Sequence, residues 1–435
     1  MPRRKAVILV QIGTAFFIAL FLLVHLGYTS ITGPLALDQQ LEGFEVSPNA
    51  ILSRQNLTSH VRAILDPHRD TGAPTFRCPY FDLSRYRYLQ DESPASSQPQ
   101  IRYFFAINLR DNVSVLPRLL GSVVEVIRFL GPASCALSIV EGNSPDGTAE
   151  VLAALEPQIA KLGIRTYFTL NSSVDPLGEG SDRFKELATL RNMALSPIAN
   201  ITATTTTTTT THPSGAVQPL NVADDASVIF LNDVAICPDD ILELVHQRQA
   251  QTADMACAMD WTGDNPAVFY DVYVSRAING DLFFDIPPWV SWERATDLFW
   301  NEPVARARLA RHEPFQVYAC WNGAVVFAAR PIVTGEVAFR ATHKDKKECH
   351  AGEPTLFCKD LWFRGYGKIM VVPSVNLDYT VDAGKKIKEL KGFATSWVAQ
   401  SDAGTKVEWR GPPEGVKCMP TFDNQSWRPW NESLV

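Results

Sequence analysis

The sequence has no Lys/Arg stripe beyond its first residues, and 47 acidic against 40 basic side chains leave a net charge of −7. That balance excludes a nucleic-acid binder that works by neutralising phosphates. None of the eight cysteines, at 78, 135, 237, 257, 320, 349, 358 and 418, stands in C-x-x-C spacing, so a zinc ribbon or thioredoxin-like motif is not indicated. Neither a G-x-G-x-x-G fingerprint nor a G-x-x-x-x-G-K-[ST] phosphate loop occurs, which disfavours kinases and NTPases. Asp, Glu, Lys and Arg are absent from Ala6 to Tyr28, directly after Pro2-Arg3-Arg4-Lys5.

That uncharged run has the length of a membrane anchor. Residues 6–28, if helical, rise about 35 Å, enough to cross a bilayer with some tilt. The basic residues 3–5 before them predict a cytoplasmic tail (1–5) and a lumenal remainder. A cleaved signal peptide is the competing reading, but the run is long for one and no A-x-A site follows it. Either way residues 29–435 enter the secretory lumen. N-x-S/T acceptor triplets at Asn56, Asn112, Asn171, Asn200, Asn424 and Asn431 and a cysteine content that permits disulfides agree with that compartment. Cys349 and Cys358 flank a short loop and are the first expectation for a bridge, with two buried thiols as the alternative.

The rest of the chain, 46% hydrophobic and 20% charged, describes a globular protein with a sizeable core. Residues 29–97 mix Pro, Ser and Gln with short helical patches and read as a stem. From Ile101 strands alternate with helices: a strand from Ile101, apolar residues at helical spacing from Leu116 to Leu130, a strand from Cys135, a helix from Thr148, a strand from Ile164 and a helix from Phe184. This βαβαβ order predicts an α/β domain with a mostly parallel sheet over residues 98–385. Eight consecutive threonines, Thr204–Thr211, have nothing to bury and mark an insertion at 202–217. Residues 386–435 form a polar and aromatic C-terminal extension.

Chemistry-bearing residues gather at strand ends. Val228-Ile-Phe-Leu231 is an apolar run that stops at Asn232-Asp233, and parallel sheets place ligands beyond the carboxyl ends of their strands. Asp233 there can hold a divalent cation that in turn holds a diphosphate; alternatively Asn232 or Asp233 caps the next helix. Glu141-Gly-Asn-Ser-Pro-Asp146-Gly-Thr148 ends the second expected strand. It is either a nucleotide-binding turn or a plain turn with Thr148 as a helix cap. Arg191 can reach diphosphate oxygens or sit on a solvated helix face. Asp260-Trp261 and Tyr270-Asp271 interleave aromatics with carboxylates, a pattern suited to sugars, although buried core aromatics are the default.

Phe105-Ala-Ile-Asn108-Leu109 with Leu116-Pro117, Leu190-Arg191-Asn192-Met-Ala-Leu195, Phe230-Leu-Asn-Asp-Val234, Cys320-Trp321-Asn322-Gly323 and Phe357-Cys-Lys-Asp-Leu-Trp362 occur in this order. Together they resemble the fungal capsule-associated family of α-1,3-mannosyltransferases. The resemblance covers about residues 75 to 380. It implies a GT-A-like glycosyltransferase domain behind an N-terminal transmembrane helix and stem, in a single-pass type II protein of the Golgi membrane. The chemistry it implies is mannosyl transfer from GDP-mannose to a mannose-containing glycan, with Mn²⁺ or Mg²⁺ and retention at the anomeric carbon. It places the metal on Asp233, with Asn232 in support; on the residues' own chemistry Asn108, Glu141, Asp146, Arg191 and Asn192 would line the nucleotide-sugar site. Trp321 and Asn322 would position the acceptor, and Glu353 or Asp281 would stabilise charge or orient its hydroxyl. The Thr204–Thr211 insertion departs from the family pattern, as does Pro354, where members often carry Cys. The competing class is a non-catalytic glycan-binding or scaffold protein of polysaccharide synthesis on the same fold, which would not need Asp233.

Overall fold

The computed structural model describes residues 50–90, 100–199, 220–262, 268–287, 297–398 and 406–434. The expected anchor at 6–28 and threonine-rich insertion at 202–217 lie outside these residues. The first described element is helix α1 (Arg54–Leu65), whose Ser53 N-cap accepts from Asn56 N. Leu57, Val61 and Ile64 recur at helical spacing and are buried against the sheet domain, as an amphipathic helix requires. The stretch that follows is pinned by a Cys78–Cys237 disulfide and by Arg85 and Tyr86, which both donate to Glu243. Residues 50–90, which composition assigns to a stem, are therefore packed onto the domain. Their polar composition reflects the outer face of a covering layer.

From residue 101 the expected alternation holds. β1 (Ile101–Leu109), α2 (Leu116–Leu130), β2 (Cys135–Glu141), α3 (Thr148–Lys161), β3 (Arg165–Thr169) and α4 (Arg183–Leu195) follow in order, and the three strands pair in parallel. β4 (Val222–Leu231) pairs with the other side of β1, also in parallel. It starts before the apolar run because its backbone pairing extends past the core, where Asp224 and Asp225 are exposed. α5 (Pro238–Ala250), β5 (Met255–Asp260), β6 (Arg276–Ala277), β7 (Phe315–Ala319), β8 (Ala324–Ala328), α6 (Glu353–Phe363), β9 (Ile369–Leu377) and α7 (Val381–Lys391) complete the domain. The nine-stranded sheet has the order β3-β2-β1-β4-β8-β5-β9-β7-β6. β8 runs antiparallel to both β4 and β5, and β7 to both β9 and β6; β7 and β8 alone oppose the common strand direction, so the sheet is mostly parallel. β9 continues through Pro373 because its pairing with β5 shifts register there, where a missing N–H is tolerated.

Alternate residues of β4 enter opposite cores: Val228 and Phe230 one cluster, Ile229 and Leu231 the other. This two-sided burial is why the strand reads as a continuous apolar run. The C-terminal extension is ordered in part. A hairpin of β10 (Gly415–Thr421) and β11 (Asn424–Pro429) is tied back by a Cys349–Cys418 disulfide, and Cys257–Cys320 forms a third bridge. The expected Cys349–Cys358 bridge is thus corrected. Cys358 lies on the buried face of α6 with its thiol toward Cys320 O, while the partner of Cys349 arrives from 69 residues away.

Candidate active site

In a sheet of this order the carboxyl ends of β1, β4, β5 and β9 share one edge. β8 is antiparallel, so its beginning lies at that same edge, bringing Trp321-Asn322-Gly323 beside Asn232-Asp233. Asn232 N donates to Gly323 O at 2.9 Å. Gly323 has φ +80°, and a Cβ on it would press on Val234 and Asp260, so this close approach of strand ends requires glycine. Neither Asn232 nor Asp233 caps a helix, since α5 starts at Pro238 with Cys237 as its N-cap.

Asp233 is held from the β1 side. Asn112 donates Nδ2 to Asp233 Oδ2 at 2.9 Å and accepts from Arg110 N through Oδ1. The turn that carries Asn112 stands on the Glu141–Thr148 segment. Ser144 Oγ, Thr148 Oγ1 and Asp146 Oδ2 accept from the backbone N–H of Asp111, Asn112 and Val113 respectively. Burial raises the Asp233 carboxyl above its ordinary value, against the opposing effect of the Asn112 amide.

A second group surrounds Trp321. Its Nε1 donates to Asn232 Oδ1 at 3.0 Å, and the Arg191 guanidinium lies 4.3 Å from its ring centroid. Arg191 Nε donates to Glu353 Oε1 at 2.8 Å. Asn322, at φ 55°, donates its backbone N–H to Asp271 Oδ2 at 2.8 Å. Burial, opposed by that bond and by Arg191, leaves Asp271 pushed up to about 6. Asp260, at the end of β5, accepts from Tyr379 Oη at 2.7 Å. Burial and the Asp271 charge hold Asp260 well above the carboxylate range. The edge therefore collects Asp233, Asp271 and Glu353 around one arginine, with Asp260 beside Asp271 and with Tyr379 and Tyr270 close enough to feel the aspartate charges.

Several expected roles change. Trp321 is 1% exposed and Asn322 is buried, its Oδ1 accepting from Ser275 and its Nδ2 donating to Ala258 O. They are the internal floor of the site, with no open face for a sugar. Asn192 spends its amide on both backbone groups of Phe339 and clamps α4 in place. Asp281 accepts from Leu282 N and Asn301 Nδ2 and pairs with Lys417, apart from the carboxylate group. Glu141 is fully buried, with Ser144 and Asn171 N–H groups on its oxygens, and Asp146 also caps Thr148. Both build the pedestal under Asn112. Thr148 begins α3, with Gly147 as the N-cap. Asn108 Oδ1, near the end of β1, is buried without a hydrogen-bond partner. In the sequence Asn112 stands in a glycosylation triplet within the turn that follows the first strand, near the expected site and so a poor acceptor, while nothing marks Tyr379. Asp260 and Asp271 stood out as carboxylates beside aromatics.

The donor set suits a hard cation. Asp233 offers such an ion an oriented oxygen ligand, and at the ends of β1 and β5 the buried Oδ1 atoms of Asn108 and Asp260 have no hydrogen-bond partner. Magnesium-type ions take one or two carboxylates and complete their shell with substrate phosphates and water, so one oriented carboxylate is sufficient. Among the described residues one compact group of three ligand-type side chains exists, Cys237, Asp239 and Asp240. It is no metal centre, because Cys237 is in a disulfide and Lys388 Nζ occupies both oxygens of Asp240.

A family model described as cryptococcal mannosyltransferase 1 matches residues 102–360. The alpha-1,3-mannosyltransferase CMT1 of Cryptococcus neoformans var. neoformans serotype D is 34% identical over 367 residues, covering 81% of this chain and 74% of the relative. Among solved structures, a Pyrobaculum calidifontis mannosyltransferase in complex with GDP-Man and Mn²⁺ aligns with TM-score 0.36 and 13% identity, covering 75% of this chain and 69% of that one. S. aureus TarS 1–349 aligns with TM-score 0.34 and 11% identity, covering 67% of this chain and 64% of that one, just under two thirds of its length.

Proposed function

The chain belongs to the cryptococcal mannosyltransferase family and is a glycosyltransferase, and from that premise we propose that it transfers mannose from GDP-mannose to a mannose-containing glycan, forming an α-1,3 linkage with retention. Asp233 holds the divalent cation, Mn²⁺ or Mg²⁺. When bound, that ion neutralises the diphosphate leaving group. Asn112 fixes the rotamer of Asp233, and Asn108 lies where β1 ends beside it. Arg191 keeps its Nε on Glu353, and the structure gives its Nη nitrogens no hydrogen-bond partner among the described residues, so they are its means of meeting phosphate oxygens. Glu353 orients that guanidinium. Asp271 is the partly exposed carboxyl placed to meet the acceptor hydroxyl, and the fully buried Asp260 holds the Tyr379 hydroxyl. In this reading residues 6–28 anchor the protein in the Golgi membrane with the catalytic domain in the lumen, a compartment that suits the three disulfides.

The observation that carries the proposal is the Asp233 carboxylate at the β4 end, half-buried and oriented by the Asn112 amide. GDP with Mn²⁺ is expected to raise the melting temperature of the native protein, and Asp233→Ala to abolish that rise. The same variant is expected to lower mannosyl transfer from GDP-mannose to a mannobiose acceptor by about 10²-fold or more. A native protein that shows no thermal shift and no turnover would sink the reading.

A further inference from the structure

With Trp321 sealed inside, the acceptor needs another surface, and exposed aromatics extend from the carboxylate edge. Tyr379, whose hydroxyl bonds Asp260, has its ring centroid 4.8 Å from that of Tyr270. Tyr270 precedes Asp271, and Tyr273 follows it in the same turn. Tyr273 in turn stands 5.2 Å from Phe422 at the tip of the β10–β11 hairpin. Tyr270 is 46% exposed and Tyr273 42%, so both rings present apolar area together with a polar hydroxyl to the solvent.

The surface is rigidly built. Arg276, itself buried, donates Nε to Lys417 O in the hairpin and Nη1 to Tyr273 O in the turn. Gly280 O accepts from Lys417 N, and a Cβ at Gly280 (φ +86°) would overlap Gly415 O. The Cys349–Cys418 disulfide anchors the same hairpin. A turn bearing a site carboxylate is thus clamped to a hairpin by buried contacts, with ring faces left in water.

We propose that Tyr270, Tyr273 and Phe422 form a stacking subsite for the pyranose rings of an extended glycan acceptor whose reacting end lies at Asp271; this rests on the glycosyltransferase reading above. Sugar rings present apolar C–H faces to aromatics while their hydroxyls meet carboxylates, and the row offers both at once. A purely apolar partner would leave Asp271 and the tyrosine hydroxyls unmatched.

Titration calorimetry with α-linked mannotetraose, GDP and Mn²⁺ being present, tests it independently of turnover. Tyr273→Ala and Phe422→Ala are each expected to weaken binding roughly two- to tenfold, and Tyr273→Phe to retain it. Tyr80→Ala removes an aromatic that is 83% exposed on the N-terminal segment and serves as the control. In transfer assays both row variants are expected to lower kcat/KM more for mannotetraose than for methyl α-mannoside. Equal affinity of native protein and Tyr273→Ala, or an equal loss in Tyr80→Ala, would overturn the subsite. So would absence of glycan binding combined with Tyr273-dependent adsorption to phosphatidylcholine–phosphatidylglycerol vesicles or Tyr273-dependent dimerisation. Glycan binding that follows the row without any GDP-mannose turnover would leave the subsite standing and count against the mannosyl-donor reading alone.

Discussion

At the scale of the residue, Asn112 and Trp321 each depart from the role that sequence suggests. Asn112 stands in a glycosylation triplet, yet its amide is buried against Asp233. Partners of this kind hold a metal ligand in its rotamer, and their removal typically costs 10- to 100-fold in affinity. Asn112→Ala is therefore expected to weaken Mn²⁺ binding in the presence of GDP by about that factor with little change in melting temperature; titration of the thermal shift against Mn²⁺ measures it. Trp321 lies among Phe230, Phe339 and the Arg191 guanidinium. Trp321→Ala is expected to cost on the order of 3–5 kcal/mol of stability, as large buried truncations do. Denaturant unfolding decides this, and a selective rise in acceptor KM at unchanged stability would contradict the buried-floor assignment.

At the scale of the element, the first turn of α5 is a place where pH acts on stability. Asp240 is neutralised by Lys388, but Asp239 Oδ1 has no partner and only its Oδ2 accepts from Thr395 N. Burial, and then the neighbouring Asp240 charge, push Asp239 up to about 7 from an ordinary 3.8, against the attraction of Lys388. The folded state thus keeps a proton that the unfolded chain releases above about pH 4. This contribution to stability is full below the unfolded value and is lost as pH rises through about 7. Asp239→Asn cannot ionise, so its melting temperature is expected to fall less than that of the native protein between pH 5 and pH 7.5. Parallel scanning calorimetry at the two pH values checks this; an equal fall would show that Asp239 keeps its charge in the folded state.

At the scale of the whole molecule, the segment before the sheet matters to its integrity. α1 buries Leu57, Val61 and Ile64 against the domain, and the Cys78–Cys237 bridge closes a separation of 159 residues. A chain starting at residue 50 is expected to be secreted folded. A chain starting at residue 98 would expose that apolar face and leave Cys237 unpaired, and is expected to aggregate or be retained. Secretion yield and size-exclusion profiles compare the two; equal yields would return residues 50–90 to the status of a detachable stem.

How much of this was legible depends on the range of the interaction. Leu116–Leu130 carries its own helical period and ends at Gly131, so the helix was readable to the residue. The strand from Cys135 was likewise readable at its start. Cys349 was not readable, because its partner Cys418 sits on a hairpin whose return path no local pattern encodes. Glu141 and Asp146 were recognised as special, but whether their oxygens meet a ligand or the turn carrying Asn112 depends on the packing of β1 beside β2.

The sequence by itself determined the alternating α/β order, the apolar β4 run that ends at Asp233, and a family membership carried by ordered motifs. These follow from hydrophobic period and residue order, which are local properties of the chain. The tertiary structure decided which carboxylates share a site, which aromatics are walls and which are surfaces, and which cysteines pair. Inserting β8 antiparallel between β4 and β5 lays residues 320–323 against 232–234. Side-chain chemistry is then set by neighbours that are distant along the chain, and burial against those neighbours holds Asp233, Asp260 and Asp271 above their ordinary titration range.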